Sequence, residues 1–310
     1  MWFRHRRARS VSALAVAVLS VTSACSADRE EESLIHADSL VIAVKEDQPR
    51  LGDRGEDGEL EGYDVDVARY IADYMGIEDV EFIGTTSARR DGLLARPGPG
   101  GSPTPETDPT GTPETDPTGT PERADMVVAT YSITPERKTR VTFAGPYYVA
   151  KQDILVRADD DEVFEARDLE GRTICQGEGS YSTSRITAGL GIDVREESKI
   201  ESYSRCIELL AEGEVDAVST DNLILAGFMT EYPGEFRLVN NPFTDEKYGV
   251  GLPYGDVAAC ERVNEAISTM YRDGTAEELF EKWFEGTGIE EFDENGEERT
   301  YNVPQFEGCE

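Results

Sequence analysis

Histidine is almost absent from this chain of 310 residues, which contains two, and only His36 lies beyond the N-terminal segment. No two cysteines have the Cys-x-x-Cys spacing that many metal sites use. We therefore expect neither a metal site nor histidine acid–base catalysis, and no catalytic residue is predicted. No glycine-rich segment resembles a P-loop, so we expect no nucleotide cofactor and no hydrolysis of nucleotide by this chain.

Positive charge is also scarce. The chain has 30 lysines and arginines against 64 aspartates and glutamates, and its formal net charge is −34. Such a surface repels nucleic acid and anionic lipid head groups, so we expect no nucleic-acid partner. An anionic ligand would therefore need a local group of basic residues that offsets the negative charge of the surface.

Long apolar runs are missing except near the N-terminus, where residues 11–21 are apolar apart from serines. That run is too short to span a bilayer, which takes about 20 residues. Arginines precede it and small residues lead directly into Cys25, a pattern that describes a secretory signal over 1–24. The segment resembles a bacterial lipobox, although Thr22 stands where leucine is usual. The resemblance implies that Cys25 is lipidated and holds the protein on the extracellular face of the cytoplasmic membrane. The alternative is an ordinary signal peptide with Cys25 incidental.

Two segments look unable to bury a core. Residues 25–38 begin with an acidic tract that suits a solvated tether. Residues 97–122 contain no large apolar side chain and repeat one octet, Pro-Glu-Thr-Asp-Pro-Thr-Gly-Thr, at 105–112 and 113–120. Such a composition predicts a disordered surface insertion. A glycosylated or partner-binding spacer is the alternative interpretation.

Elsewhere, strand-like and helix-like patterns alternate. Residues 40–44 read as a buried strand, and apolar residues over 65–75 follow helical spacing, with Gly76 suited to the C-cap. Ser204 is the predicted cap of a later helix. Strands separated by helices indicate an α/β fold with mostly parallel sheets. The chain length suits two lobes of about 100 residues each.

Five cysteines are present. If Cys25 is lipidated, four remain, and four cysteines in an exported chain suggest two disulfides. Three pairings are then possible among Cys175, Cys206, Cys260 and Cys309.

Several polar residues follow predicted strands. Thr130 and Ser132 come after one strand, at the edge where open α/β sheets bind ligands. Arg137 can hold a carboxylate with two parallel hydrogen bonds. Ser180 and Tyr181 lie in a turn before a predicted helix, whose free N–H groups can face an anion.

Two more residues have a functional and a structural interpretation. Asp221 ends a predicted strand and begins a helix, so it is either a helix cap or the partner of an ammonium group. Tyr63 either covers one face of a small ligand or packs in the core.

Taken in order, these segments resemble the family 3 extracellular solute-binding proteins, which are type II periplasmic binding proteins for polar amino acids. The resemblance covers about residues 39–290, and the last of the motifs resembles the actinobacterial glutamate-binding branch. The motifs that carry it are Gly-Tyr-Asp-Val-Asp-Val-Ala at 62–68, Ala-Thr-Tyr-Ser-Ile-Thr-Pro-Glu-Arg at 129–137, Phe-Ala-Gly-Pro-Tyr-Tyr at 143–148 and Glu-Gly-Glu-Val-Asp-Ala-Val-Ser-Thr-Asp at 212–221.

The resemblance implies a two-lobed α/β fold whose lobes are joined by a hinge of two crossovers. The crossovers would lie near 150–152 and 247–248. The implied segments are 39–149 with 249–290 for lobe one, 150–248 for lobe two and 291–310 for a C-terminal extension. The glutamate branch also favours the disulfide Cys175–Cys206, which leaves Cys260–Cys309.

The resemblance further implies how a ligand would be held. Arg137 would bind an α-carboxylate, helped by Ser132 and by the backbone near Ser180 and Tyr181. Thr130 and Asp221 would receive the α-ammonium group, and Tyr63 would stack over the ligand.

The chain departs from the branch after its first strand, where Glu46 takes an aromatic position and Arg50 takes that of a glycine. Arg50 or Lys45 could therefore meet an acidic ligand side chain, with a solvated surface role as the alternative.

These features predict a monomeric, lipid-anchored binding component of an ABC importer that captures a polar amino acid, glutamate above all, and docks on the permease. The alternatives are an amino-acid sensor or interaction lipoprotein, and an enzyme on the same fold.

Overall fold

The structure, a computed structural model, describes residues 33–95, 123–289 and 301–309. The predicted signal peptide over 1–24, the lipidation site Cys25 and the whole insertion over 97–122 lie outside the described residues, as does most of the tether.

Alternating strands and helices make up the described chain, as the sequence predicts. The strands are β1 Ser39–Lys45, β2 Asp47–Gln48, β3 Gly52–Arg54, β4 Leu60–Glu61, β5 Asp79–Thr85, β6 Met126–Val127, β7 Val141–Arg157, β8 Thr173–Gly177, β9 Arg195–Ile200, β10 Ala217–Asp221, β11 Phe236–Leu238 and β12 Thr244–Pro253. The α-helices are α1 Tyr63–Met75, α2 Arg90–Leu93, α3 Ser182–Ser184, α4 Tyr203–Glu212, α5 Asn222–Glu231, α6 Val257–Arg272 and α7 Thr275–Phe284. Short 3-10 turns occur at Leu34–His36, Arg137–Thr139 and Ala166–Leu169, and a π-helical turn at Arg185–Leu190.

Strand β1 and helix α1 form where the pattern of apolar residues in the sequence predicts them. The last four residues of β1 are all buried, as expected for a central strand covered on both faces, and β1 pairs in parallel with β5 and β6. Helix α1 buries its apolar stripe and ends at Gly76, whose φ of 80° is left-handed. The Gly76 N–H donates to the carbonyl of Ala72, which confirms the predicted C-cap.

Two antiparallel strands occupy the middle of a nine-stranded sheet within the described residues. The strand order is β5-β1-β6-β12-β7-β10-β8-β9, and β11 pairs with the last residues of β7 on the same edge as β12. Parallel strands lie on both sides of the β12–β7 pair: β1, β5 and β6 in the first half, and β8, β9 and β10 in the second. This arrangement confirms the two-lobed α/β fold.

The two crossovers of the predicted hinge are strands β7 and β12. They pair from Thr244 opposite Gln152 to Pro253 opposite Val141, so both strands run through the junction of the two halves. Lys247 lies opposite Val149 within this pair, where the sequence placed a crossover. The lobe boundaries themselves stay predictions.

Helix α4 corrects one detail of the sequence interpretation. Its N-cap is Ser202, whose hydroxyl accepts a hydrogen bond from the N–H of Arg205, and Ser204 lies inside the helix. The disulfide Cys175–Cys206 joins this helix to β8, as the family resemblance implied.

The C-terminal residues 301–309 return to the first half. Cys309 forms a disulfide with Cys260 of α6, which confirms the second predicted pair. Nearby, the N–H of Glu307 donates to the carbonyl of Gly145 in β7, and the Glu307 carboxylate lies 2.7 Å from the Lys247 ammonium in β12. Both central strands therefore contact this segment.

Candidate ligand-binding site

A small polar cavity lies where the parallel strands of both halves end. The space in and around it, counting the part that is open to solvent, amounts to about 340 Å³. Nearly every wall residue stands at the carboxyl end of a parallel strand or shortly after it, the location where open α/β sheets bind ligands. The cavity is lined by Gln48, Ser87, Arg90, Thr130, Ser132, Arg137, Gln152, Ser180, Tyr181, Ser182, Tyr203, Thr220, Asp221, Ile224 and Glu246.

Thr130 reaches the cavity through a constrained backbone. Its φ of 45° is left-handed, and its N–H donates to the buried carboxylate of Asp64 at 2.7 Å. Asp64 also accepts a hydrogen bond from the Tyr147 hydroxyl, at 2.7 Å. Burial raises the pKa of Asp64 to about 7, against the lowering effect of these two donors. Asp64 therefore positions the segment that carries Thr130 and Ser132.

Arg137 is fixed by one acceptor from each half of the sheet. Its guanidinium donates to the carbonyl of Ser132 at 2.7 Å and to that of Gly179 at 3.0 Å. It also lies against two rings, those of Tyr131 and Tyr181, at 4.9 and 4.7 Å from their centres. Burial, and then the charge of Arg90, lower the pKa of Arg137 to about 10, so the group stays cationic at neutral pH.

Arg90 is a second buried guanidinium in the same wall, and the sequence interpretation did not include it. Its side chain is 3% exposed and donates to the carbonyls of Ser87, Ala129 and Thr130 at 2.9–3.1 Å. Within the described chain, no carboxylate lies within ion-pair distance of Arg90 or Arg137. The available sequence clue was the position of Arg90 shortly after β5, at the ligand edge of the sheet.

The anionic wall is formed by Asp221 and Glu246. Asp221 accepts a hydrogen bond from the Tyr248 hydroxyl at 2.7 Å, and burial, then the charge of Glu246, raise its pKa to about 7. Glu246 instead forms a two-pronged ion pair with Arg185, at 2.8 and 3.1 Å. Asp221 stands at the N-cap position of α5 but makes no side-chain capping bond, so its carboxylate is directed to the cavity wall.

Two buried glutamines add one unused polar atom each. Gln48 accepts a hydrogen bond from the Thr130 hydroxyl at 2.9 Å, while its amide nitrogen has no partner among the described residues. Gln152 donates to the Ser182 carbonyl at 2.9 Å, and its amide oxygen likewise has none there. Since buried polar atoms normally have partners, these two atoms are available to a ligand.

The second half contributes a hydroxyl-rich turn after β8. The Ser180 hydroxyl lies 2.7 Å from the hydroxyl of Tyr203 and 3.0 Å from that of Ser182. The Tyr181 hydroxyl donates to the carboxylate of Glu136 in the first half. The turn thus offers hydrogen-bonding groups to the cavity beside Arg137.

Six of the nine predicted contact residues line one cavity: Thr130, Ser132, Arg137, Ser180, Tyr181 and Asp221. Lys45, Arg50 and Tyr63 do not. Lys45 is buried and its ammonium lies 2.9 Å from the carboxylate of Asp47. Arg50 instead donates to the carbonyl of Trp283 at 2.6 Å and to the hydroxyl of Thr230 at 3.2 Å.

Tyr63 requires a correction. Its side chain is 1% exposed, and its ring packs 5.9–6.3 Å from the rings of Tyr147, Tyr148, Phe280 and Phe284. These neighbours place the ring in the core of the first half, so Tyr63 matches the packing interpretation and not the stacking one.

In the part of the chain that the structure describes, no cluster of histidine, cysteine or carboxylate side chains could hold a metal ion. No described helix is both long and apolar enough to cross a membrane.

Fold and site together define a class of protein, a two-lobed α/β protein with a charged cavity at the junction of its lobes. The chain belongs to the bacterial extracellular solute-binding proteins, family 3, whose sequence model matches residues 104–286.

Known proteins of this kind resemble it over most of their length. The glutamate-binding protein GluB of Corynebacterium efficiens is 34% identical over 286 residues, 87% of either chain. The glutamine-binding protein GlnH of Bacillus subtilis is 30% identical over 256 residues, 79% of this chain and 81% of GlnH. Among solved structures, an ancestral arginine-binding protein bound to arginine superposes with a TM-score of 0.64 at 28% identity, over 80% of this chain and 99% of that one.

Proposed function

We propose that this protein is the substrate-binding component of an ABC importer and that it captures an amino acid with an acidic side chain, glutamate above all. One observation carries the choice of ligand: Arg90 and Arg137 line the same cavity as Asp221. A glutamate zwitterion carries two carboxylates and one ammonium group, and among the described residues the cavity offers two guanidiniums and one carboxylate that have no ion-pair partner.

The charges of the wall support this assignment. Glu246 already has a partner in Arg185, whereas Arg90, Arg137 and Asp221 have no ion-pair partner among the described residues. These three groups sum to one positive charge, which matches the single negative charge of glutamate. Glutamine would leave one buried guanidinium without an anion, and uncompensated buried charge is costly.

Each end of the ligand has its own donors. Arg137 and the hydroxyl of Ser132 would hold the α-carboxylate, and Asp221 with Thr130 would receive the α-ammonium group. Arg90 and the unused amide nitrogen of Gln48 would then bind the side-chain carboxylate.

The relatives support the assignment of glutamate as the ligand, because GluB of C. efficiens is named for binding glutamate. GlnH of B. subtilis is named for glutamine, so glutamine is the strongest competing ligand.

In this proposal the two lobes close over the ligand about β7 and β12, and contacts made only in the closed form shift the population towards it. Lipid on Cys25 would hold the protein at the outer face of the cytoplasmic membrane, beside the permease. The sequence pattern around Cys25 and the family's extracellular members support this location.

Calorimetric titration of the mature protein with glutamate, aspartate, glutamine and asparagine tests the ligand. We expect glutamate to bind most tightly. If none of the four binds, the proposal fails, and if glutamine outcompetes glutamate, the assignment of an acidic side chain fails. Loss of labelled-glutamate uptake on deletion of the gene would support transport, whereas unchanged uptake would favour a sensor.

A further inference from the structure

Asp47 touches the opposite half of the molecule at two atoms. Asp47 lies in the first half, two residues after the end of β1, and directly precedes the cavity residue Gln48. One oxygen of its carboxylate accepts a hydrogen bond from the N–H of Tyr203 at 3.2 Å. Its main-chain carbonyl accepts another from the Ser204 hydroxyl at 3.0 Å. Both donors belong to the first turn of α4 in the second half.

The carboxylate meets α4 where a helix favours negative charge. The first N–H groups of a helix lack partners within it, and the helix dipole adds partial positive charge there. Ser202 takes the N–H of Arg205, and Asp47 takes that of Tyr203. The first half of the molecule thus supplies part of the cap of a helix in the second half.

Lys45 forms an ion pair with the other oxygen of the Asp47 carboxylate. The Lys45 ammonium lies 2.9 Å from the second carboxylate oxygen, and its side chain is 1% exposed. Burial lowers the pKa of Lys45, while the charge of Asp47 opposes that shift. Because both residues are in the first half, this ion pair orients the carboxylate independently of the second half.

Helix α4 in turn connects Asp47 to the cavity. The hydroxyl of Tyr203 lies 2.7 Å from that of Ser180 and 3.1 Å from that of Ser182, and all three residues line the cavity. We propose that Asp47 is a positioning residue, which holds α4 and the Ser180–Ser182 turn against the first half in the closed form and so sets the closed population and the residence time of the ligand. This inference rests on the proposed function, because it concerns closure of the same site.

Asp47→Asn tests the inference, because it removes the charge and keeps the size of the side chain. A carboxylate at a helix N-terminus contributes enough to expect glutamate affinity to fall by about 3- to 30-fold, mainly as faster dissociation. Small-angle scattering of the ligand-free protein should show a larger radius of gyration than for the wild type, because fewer molecules are closed. Glu46→Gln is the matched control: it removes the neighbouring negative charge, which pairs with Arg54, and should leave both quantities unchanged.

Ser204→Ala is a second variant, since Asp47→Asn leaves Lys45 buried without its partner. It removes a contact from the opposite half, keeps the Lys45–Asp47 pair, and should speed dissociation by about 2- to 10-fold. Unchanged dissociation rates in both variants would overturn the inference and leave the proposed function intact. If the wild type binds no amino acid, the proposed function fails. The inference then depends on scattering, and a radius of gyration equal in Asp47→Asn and the wild type would overturn it.

Discussion

The guanidinium groups of Arg90 and Arg137 share one aromatic ring: their central carbons lie 4.6 and 4.9 Å from the centre of Tyr131. Two like charges are thereby held together in a buried wall, and the charge of Arg90 contributes to the lowered pKa of Arg137. The ring face partly offsets this repulsion. A ligand with two carboxylates would relieve it further, which is the physical reason to expect an acidic amino acid.

Arg90→Gln should change ligand preference more than it changes folding. Loss of a charged hydrogen-bond donor to the side-chain carboxylate should weaken glutamate binding by about 10- to 150-fold, while glutamine binding changes less. Competition calorimetry of the two amino acids measures the ratio. Arg89→Gln, one residue earlier and outside the cavity wall, is the control and should retain the wild-type ratio. A wild-type ratio in Arg90→Gln would remove Arg90 from the side-chain site.

Arg137→Ala should weaken binding of every amino acid, because the α-carboxylate is common to all of them. Truncating one partner of a buried charge pair typically lowers affinity by more than about 30-fold. Isothermal titration together with circular dichroism separates binding from folding. Arg140→Ala removes an exposed arginine of the same segment, which pairs with Asp91, and should bind normally. Retained affinity in a folded Arg137→Ala protein would contradict the assignment.

Glutamate affinity should fall as pH decreases through about 7. Burial raises the pKa of Asp221 to about that value, so an increasing share of the carboxylate is protonated below it. The ligand ammonium group requires the charged form, and the dissociation constant should therefore rise by up to about tenfold per pH unit below 7. Titrations between pH 5.5 and 8.5 measure this slope. The Asp221→Asn variant lacks the titrating carboxylate, so it should bind glutamate weakly and with little pH dependence. Asp64 has a similar pKa but does not line the cavity, so we expect it to contribute little to the slope. An unchanged slope in that variant would assign the titration to another group.

Loss of either disulfide should lower the free energy of unfolding. The bonds close chain segments of 31 and 49 residues, and such cross-links typically contribute about 2–4 kcal/mol. Cys175→Ser with Cys206→Ser, and Cys260→Ser with Cys309→Ser, should each lower the midpoint of urea unfolding. Peptide mapping without reductant should recover both predicted pairs, and four free thiols would contradict them.

Local sequence patterns predicted many of the residues that line the cavity. Thr130, Ser132 and Asp221 could be placed because each stands at or just after the carboxyl end of a strand, and such ends meet at one edge of a sheet. The family resemblance supplied the role of Arg137, whose residue type suits a carboxylate. The same resemblance supplied the two disulfide pairs, between which spacing alone could not decide.

Other residues depended on contacts distant in sequence. Tyr63 follows a glycine at the start of α1, and whether its ring faces a ligand or the core is decided by Phe280 and Phe284 more than 200 residues later. Glu246 comes from β12, far from the motifs, and enters the wall because β12 lies beside β7. Likewise, Ser202 rather than Ser204 caps α4, because capping depends on the backbone angles at the helix start.

By itself the sequence determined the alternation of strands and helices, the strongly acidic surface and the position of the ligand edge, because hydrophobic periodicity and composition are properties of the chain. Only the tertiary structure brought Arg90 beside Arg137 and Asp47 against α4. Those contacts join segments that are separated by 47 residues or more along the chain. Arg90 and Arg137 meet because both pack against Tyr131 in the first half, whereas the contact of Asp47 with α4 forms only when the two halves meet at β7 and β12.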